Sequence, residues 1–293
     1  MDIVITYVNG LDPVWQADYS KYINVPVMEK RFRDWGTLKY LLRGIEVNIP
    51  FVRNVYLVVS HETQVPEWVD KSQLKVVLHK DIIPVEYLPT FNSTTIEMFL
   101  HKIPGLDNEF VYFNDDTYPV DKCVHEDFFQ DGKIRLGFSK HYLSFGMYKK
   151  QCRNADNLAR KALGQAATSS FVRPQHICTP MLREESEKAY ASVEQDILPI
   201  LSRTRTVHNV NQYFFLDYLY YKGLVINKKI PKKHFSVAIS SPKQLSSFIE
   251  APTRQFVCIN DVKLSESRYN EMRAAIINAF EKRFPCISKY EKK

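Results

Sequence analysis

Along the first 120 positions, short apolar runs alternate with helical stripes. Runs rich in β-branched and aromatic residues occur at 2–8, 54–60, 74–78 and 110–113, the pattern of strands covered on both faces. Between the first two, Leu38, Leu41, Leu42 and Ile45 recur at i, i+3, i+4 and i+7, which predicts a helix ended by Pro50. A second helix is predicted after Asn92-Ser93. Thr94 stands three residues before Glu97 in the form of a capping box. Ile96, Phe99, Leu100 and Ile103 make the apolar face, and Pro104-Gly105 closes it. Strands alternating with helices predict an α/β fold built on a mostly parallel, doubly wound sheet.

The rest of the chain predicts helices over 154–168, 183–201 and 209–222, the last apolar nearly all round and therefore deeply buried. A short buried strand, 256–259, is followed by Asn260-Asp261. Residues 265–284 read as a long amphipathic helix with Tyr269, Met272, Ile276, Ala279 and Phe280 inward. With no repeat, low-complexity run or clear linker, the 293 residues predict a single domain with a helical insertion at about 121–250.

Composition narrows the function. The chain is 45% hydrophobic and 25% charged, the profile of a globular protein with a sizeable core. A net charge of +7 favours anionic partners without choosing among them. Lys and Arg are spread along the chain with no nucleic-acid-binding motif, so a nucleic-acid partner is not expected. Cys123, Cys152, Cys178, Cys258 and Cys286 form no CxxC pair. They read as reduced thiols rather than zinc ligands. The N-terminus lacks a signal-peptide pattern and no stretch is long enough to cross a bilayer. A cytoplasmic protein is expected, peripheral at most to the inner face of the membrane. The tail Lys289, Glu291, Lys292, Lys293 reads as a solvated basic end.

The strand 110–113 stops at Asn114-Asp115-Asp116. Acidic side chains at such a strand end project into the crevice where α/β sheets bind ligands. Adjacent carboxylates repel unless a cation sits between them, and hard divalent ions prefer carboxylate oxygens and substrate phosphates. Asp115 and Asp116 are therefore candidate metal ligands, although Asn and Asp are also common turn residues. Asn9 and Asp12 follow the first strand, where a nucleotide usually sits. Arg33 could neutralise a diphosphate or pair with Asp34, and Arg43 reads as structural. Gly10 belongs to no GxGxxG or Walker loop, so NAD and ATP readings lack support.

Polar clusters stand at the element ends in a fixed order: 7–13, then Arg31-Phe32-Arg33-Asp34-Trp35 opening the next helix, then Thr90-Phe91-Asn92-Ser93, then the Asn-Asp-Asp. DIVITYVNGLDP, RFRDWGTLKYLLRGIE, FVRNVYLVVS, LPTFNSTTIEMFLHKIPGL and EFVYFNDD resemble the first two conserved blocks of the Stealth family. These are sugar-phosphate transferases of microbial cell-surface polysaccharides, and they include the animal enzyme that adds GlcNAc-1-phosphate to lysosomal glycans. The segments at 174–180, 203–206 and 258–261 extend the resemblance over nearly the whole chain.

The resemblance implies a GT-A-like (Rossmann-like) fold. It implies an enzyme that moves a sugar with its attached phosphate from a UDP-sugar to a glycan hydroxyl, forming a phosphodiester and releasing UMP. The sugar would be a hexose-1-phosphate or N-acetylhexosamine-1-phosphate, the acceptor an oligosaccharide or polysaccharide of a capsule or exopolysaccharide, the cofactor Mg2+ or Mn2+. The chain would be one catalytic domain: nucleotide-sugar and metal in about 1–120, acceptor and phosphate in about 121–250, a closing strand and helix in 251–293. Asp116 would be catalytic as well as metal-binding, with Asp115 beside it. Glu97 matches a functional acidic position, and His176 matches a histidine suited to deprotonating an acceptor hydroxyl. Either Arg205 or Arg203 would hold the transferred phosphate in a planar donor fork. Asn9, Asp12, Arg33, Asn92 and Arg203 complete the donor-binding set. The alternatives are a metal-dependent glycosyltransferase of the same fold releasing UDP, a basic nucleic-acid-binding protein, and a structural or adaptor protein.

Overall fold

The computed structural model describes residues 1–24, 26–27 and 32–293; Arg31 of the second motif lies outside the described residues. The strands are β1 (Asp2–Thr6), β2 (Val55–Val59), β3 (Lys75–Leu78), β4 (Glu109–Phe113), β5 (Thr117–Pro119), β6 (Phe129–Gln130), β7 (Lys133–Arg135), β8 (Phe138–His141), β9 (Phe171–Pro174), β10 (Thr179–Leu182), β11 (Val225–Ile226), β12 (Lys232–Ser236) and β13 (Phe256–Asn260). Their sheet orders are β10-β4-β1-β2-β3, β11-β7-β6, β12-β13-β5 and β8-β9. Parallel pairs (β11 with β7, β12 with β13) and antiparallel pairs (β10 with β4, β13 with β5) both occur. The α/β class stands, with mixed sheets.

The helices are α1 (Pro13–Tyr22), α2 (Leu38–Asn48), α3 (His79–Ile82), α4 (Ser93–Glu97), α5 (Gly146–Ala162), α6 (Arg183–Ile197), α7 (Tyr213–Tyr221), α8 (Pro242–Glu250) and α9 (Glu266–Arg283). Two compact units contain them. One comprises Met1–Val4, Val77–Tyr112 and His125–Ile230, the other Ile5–Val76, Phe113–Val124 and Pro231–Lys293.

In the first unit, α5 packs against α7. The inward stripe of α5 is Gln151, Cys152, Ala155, Asp156, Leu158 and Ala159, the helical repeat expected of a half-buried helix. This helix starts at 146 rather than 154 because its first turn is exposed and carries no burial rhythm. It ends at 162 rather than 168. Gly164 adopts φ +68 there, and the Gln165 N–H reaches back to the Arg160 carbonyl, a left-handed C-terminal cap that glycine permits. Helix α7 is buried from Tyr213 to Leu219, as its unbroken apolar surface predicts. It begins four residues later than expected because Asn209 and Asn211 use their side chains on local backbone instead. Asn209 Nδ2 donates to the Ile200 carbonyl (2.6 Å), and Asn211 Oδ1 accepts from Tyr213 N–H (3.3 Å).

In the second unit, α2 buries Leu38, Leu41, Leu42 and Ile45, the stripe read from the sequence. At Gly44 a Cβ would lie 2.6 Å from the Pro119 carbonyl oxygen, so only glycine permits this approach. Helix α9, capped by Ser265, packs on α8 and buries Met272, Ile276, Ala279 and Phe280; Tyr269 is only half-buried. The C-terminal segment is not a solvated end: Tyr290 and Glu291 are buried, and Lys292 N–H donates to the Trp68 carbonyl.

Arg43 explains that docking. Its Nε and Nη2 donate to Glu291 Oε1 and Oε2 at 2.8 and 2.7 Å, and both residues are buried. Removing one partner of a buried pair strands the other charge. Arg43→Ala is expected to cost about 3–5 kcal/mol, measured by denaturant unfolding. A loss below about 1 kcal/mol would show that Glu291 finds water instead.

Candidate functional site

In the second unit, the turn Asn114-Asp115-Asp116 leads into β5 and is closed by Thr117 N–H to the Asn114 carbonyl (3.4 Å). The segment is thus a turn and, at the same time, an edge of an open cleft. Tyr7, Arg33, Asp34, Trp35, Asp115, Asp116, Tyr118 and Asp261 supply its polar lining.

The carboxylates of Asp34, Asp116 and Asp261 are held by named donors. Asp34 accepts from the Tyr7 hydroxyl (2.9 Å) and from Gly36 N–H (2.8 Å). Asp261 accepts from the Trp35 indole N–H (3.1 Å), and Arg33 Nη1 stands 3.7 Å from its other oxygen. The Arg33 guanidinium also lies over the Tyr269 ring. The Asp116 side chain accepts from Thr117 Oγ1 (3.1 Å), and its carbonyl accepts from Ile259 N–H (2.8 Å). The Tyr118 hydroxyl donates to the Asp115 carbonyl (2.7 Å).

Desolvation first, then repulsion from Asp116, Asp34 and Asp261, pushes the Asp115 carboxyl up to about 7. Asp115 nevertheless keeps open surface to water, which weakens the desolvation. The like charges around it are therefore the dependable cause.

The carboxylates of Asp34, Asp115, Asp116 and Asp261 are hard oxygen donors of the kind Mg2+ and Mn2+ take. The Cys258 thiol, which donates to Asp116 Oδ2 (3.7 Å), is pushed up to about 12 by burial and then by Asp116, so it stays a neutral donor.

Asn9 and Asp12 lie outside the cleft's described lining. Asp12 Oδ1 caps α1 by accepting from Trp15 N–H (2.7 Å), and Asn9 Oδ1 accepts from Leu11 N–H (2.9 Å) in the turn after β1. Tyr7 and Tyr118 carry no assignment from the sequence, Asp34 is read there only as a pairing partner of Arg33, and Asp261 only with Asn260 as a second polar lip or a plain turn. Only Asp261 had a signal of its own, being an acidic residue at the end of a buried strand.

In the first unit, the other candidates gather around α4. The capping box expected of Thr94 and Glu97 does not form. Asn92 Oδ1 takes the cap instead, accepting from Thr94 N–H (3.2 Å) and from the Thr94 hydroxyl (2.8 Å). Asn92 Nδ2 ties this cap to the segment after α6, donating to the Ser202 carbonyl and to Asn209 Oδ1 (both 3.1 Å). Glu97 is thereby free to turn inward. It is buried, and its Oε2 accepts from Gln212 N–H at 3.0 Å. Burial pushes its carboxyl up to about 7, while that N–H, the Arg205 charge, the Ser93 hydroxyl and His176 pull it down.

Arg205 and Arg203 separate here. Arg205 Nη2 donates to Ser93 Oγ (2.5 Å) and its charge acts on Glu97, whereas Arg203 Nη2 donates to the Leu88 carbonyl (3.1 Å). Glu97, His176 and Arg205 thus form one electrostatic group, with Asn92 as its scaffold.

Comparison with known proteins adds identity to this geometry. Residues 31–136 match the family described as Stealth protein CR2, conserved region 2. The chain is 33% identical over 267 residues to capsular polysaccharide phosphotransferase cps1A of Actinobacillus pleuropneumoniae, covering 85% of this chain and 72% of the relative. With cps12A of the same organism the identity is 32% over 296 residues, covering 92% and 79%. With capsular polysaccharide phosphotransferase WcwK of Streptococcus pneumoniae it is 28% over 340 residues, covering 100% and 99%. The match at the segment that carries the acidic turn, together with identity above 30% over most of both chains, means that the chain belongs to the Stealth family of phosphotransferases.

Proposed function

We propose that this protein transfers a sugar together with its phosphate from a UDP-sugar to a hydroxyl of a capsule glycan, in the cytoplasm and on a GT-A-like scaffold. The observation that carries the reading is the gathering of four carboxylates, Asp34, Asp115, Asp116 and Asp261, on one cleft. Repulsion among them is relieved by a cation, and a donor diphosphate is the substrate group that shares one. Mg2+ or Mn2+ held by Asp115 and Asp116, with Asp34 and Asp261 at hand, would neutralise charge on the phosphates. Arg33 adds a fixed positive fork on the same cleft, and Trp35 and Tyr269 stack edge-to-face beside it at 4.9 Å.

Phosphoryl transfer is largely positioning and charge neutralisation. Arg205 holds the non-bridging oxygens of the transferred phosphate. His176 takes the proton of the acceptor hydroxyl as its oxygen bonds to phosphorus, and the bond to UMP breaks. Glu97 in its ionised form orients Arg205 and His176. Asn92 keeps α4 and the 202–209 segment in register.

The test is nucleotide release from a panel of UDP-sugars with Mg2+ or Mn2+ and a capsule oligosaccharide. Acceptor-dependent UMP, lost in chelator and restored by metal, is the expected result. UDP in its place would make the protein a glycosyltransferase. Full activity in chelator would overturn the role of the acidic cleft.

A further inference from the structure

The net charge is not distributed as its spread along the chain implies. Between residues 132 and 183 there are ten Lys and Arg against one Asp, and elsewhere thirty against thirty-two. The one acid, Asp156, is fully buried and paired with Arg160 at 2.9 Å. The whole positive excess therefore belongs to one segment of the first unit.

The same segment holds a run of exposed apolar side chains. Tyr142, Leu143, Phe145, Met147 and Tyr148 are 60, 63, 74, 37 and 43% exposed across the link from β8 into α5. A lone exposed Leu needs no explanation, but a contiguous set does. Lys140, Lys149 and Lys150, all exposed, flank it. Its backbone is anchored: Arg153 donates through Nη2 to the carbonyls of Tyr142 (2.5 Å) and Ser169 (3.1 Å), and through Nε to Ser144 Oγ (3.2 Å). Tyr142, Leu143, Phe145 and Met147 are thus presented outward by a braced loop.

We propose that residues 140–150 form a membrane-docking surface that inserts Leu143, Phe145 and Met147 among the acyl chains of an anionic bilayer while Lys140, Lys149 and Lys150 engage its headgroups. Charge complementarity selects this occupant. Bilayer interfaces take up Phe and Leu together with flanking lysines, and each lysine near an anionic surface is worth roughly a fivefold gain in partition. A glycan platform would call for flat aromatic faces among carboxylates and amides, and this surface has neither Asp nor Glu in its sequence. Tyr142, with an apolar ring and a polar tip, suits the headgroup level, whereas the Tyr148 hydroxyl is turned inward onto that of buried Tyr213 (3.0 Å). The inference does not rest on the phosphotransferase reading, since it concerns another surface and another readout.

The test is co-sedimentation of the full chain with vesicles of phosphatidylglycerol and phosphatidylethanolamine, against vesicles of phosphatidylcholine alone, at low and high salt. Salt-sensitive binding to the anionic vesicles only is expected. Leu143→Ser with Phe145→Ser, and separately Lys149→Glu with Lys150→Glu, should each weaken it tenfold or more. All four positions are exposed, so unchanged thermal melting should accompany the loss. Absence of vesicle binding by the native chain would overturn the proposal, as would binding that both double variants retain. A concentration-dependent dimer that Phe145→Ser dissolves, with no vesicle binding, would also overturn it and make the patch an interface between copies.

Discussion

Replacing Asp116 by Asn is expected to lower acceptor-dependent UMP release by about a thousandfold while leaving the fold intact. The substitution keeps an oxygen to accept from Thr117 Oγ1, and the backbone bond from Ile259 N–H to the Asp116 carbonyl is untouched. It removes one negative charge from a cleft that holds four. With that repulsion reduced, the neighbouring Asp115 carboxyl should fall toward the ordinary carboxylate range. The expected signature is therefore lost turnover, weaker Mn2+ binding by calorimetry, and thermal stability equal to or above that of the native protein. Turnover within tenfold of native would remove Asp116 from the chemistry. A collapse of the circular dichroism signal would make it structural.

Glu97→Gln separates stability from activity through pH. The native carboxyl is pushed up from 4.5 to about 7 by burial, so the folded state holds its proton where the unfolded chain has released it. The contribution is full below about 4.5 and is lost as pH rises through about 7. Over that window the native protein should lose up to about 3 kcal/mol relative to Glu97→Gln, because glutamine has no proton to release and still offers an oxygen to Gln212 N–H. Above pH 7 the variant should be the more stable protein and the poorer enzyme, by about a hundredfold. Native turnover should rise with pH through about 7 as the carboxylate forms beside Arg205 and His176, and the variant should lack that limb. Parallel stability curves from pH 4.5 to 8 would mean that Glu97 is not held protonated. Native-like turnover by the variant would mean that its charge does not serve transfer.

The identity of the chain was legible in its motifs, and the family match agrees with it. Much of the secondary structure was legible too, for reasons visible element by element. The strands β1, β2 and β4 are built on apolar runs, β3 buries only Val77, and α2, α7 and α9 carry burial patterns that local sequence records. Strands of two or three residues such as β6, β7 and β11 are not legible, since so short a segment has no period to read. Helix α5 was placed eight residues late because its first turn is exposed.

The candidate site divides in the same way. Asp115 and Asp116 could be singled out because two adjacent acids at a strand end are unusual in one dimension. Asp34, Tyr7 and Tyr118 could not, because each is ordinary in its own segment and joins the cleft only where β5, β13 and the loop before α2 meet. Glu97 was visible as an acid near a helix start, but its inward turn was not. That turn depends on Asn92 taking the cap and on Gln212, 115 residues away, offering its N–H. The sequence by itself determined the family, the rhythm of strand and helix, and the acidic turn, because these are encoded in neighbouring residues. Only the tertiary structure decided which carboxylates crowd one cleft, which acid is buried and which arginine reaches it. Desolvation and charge repulsion depend on distances in space, which spacing along the chain does not contain.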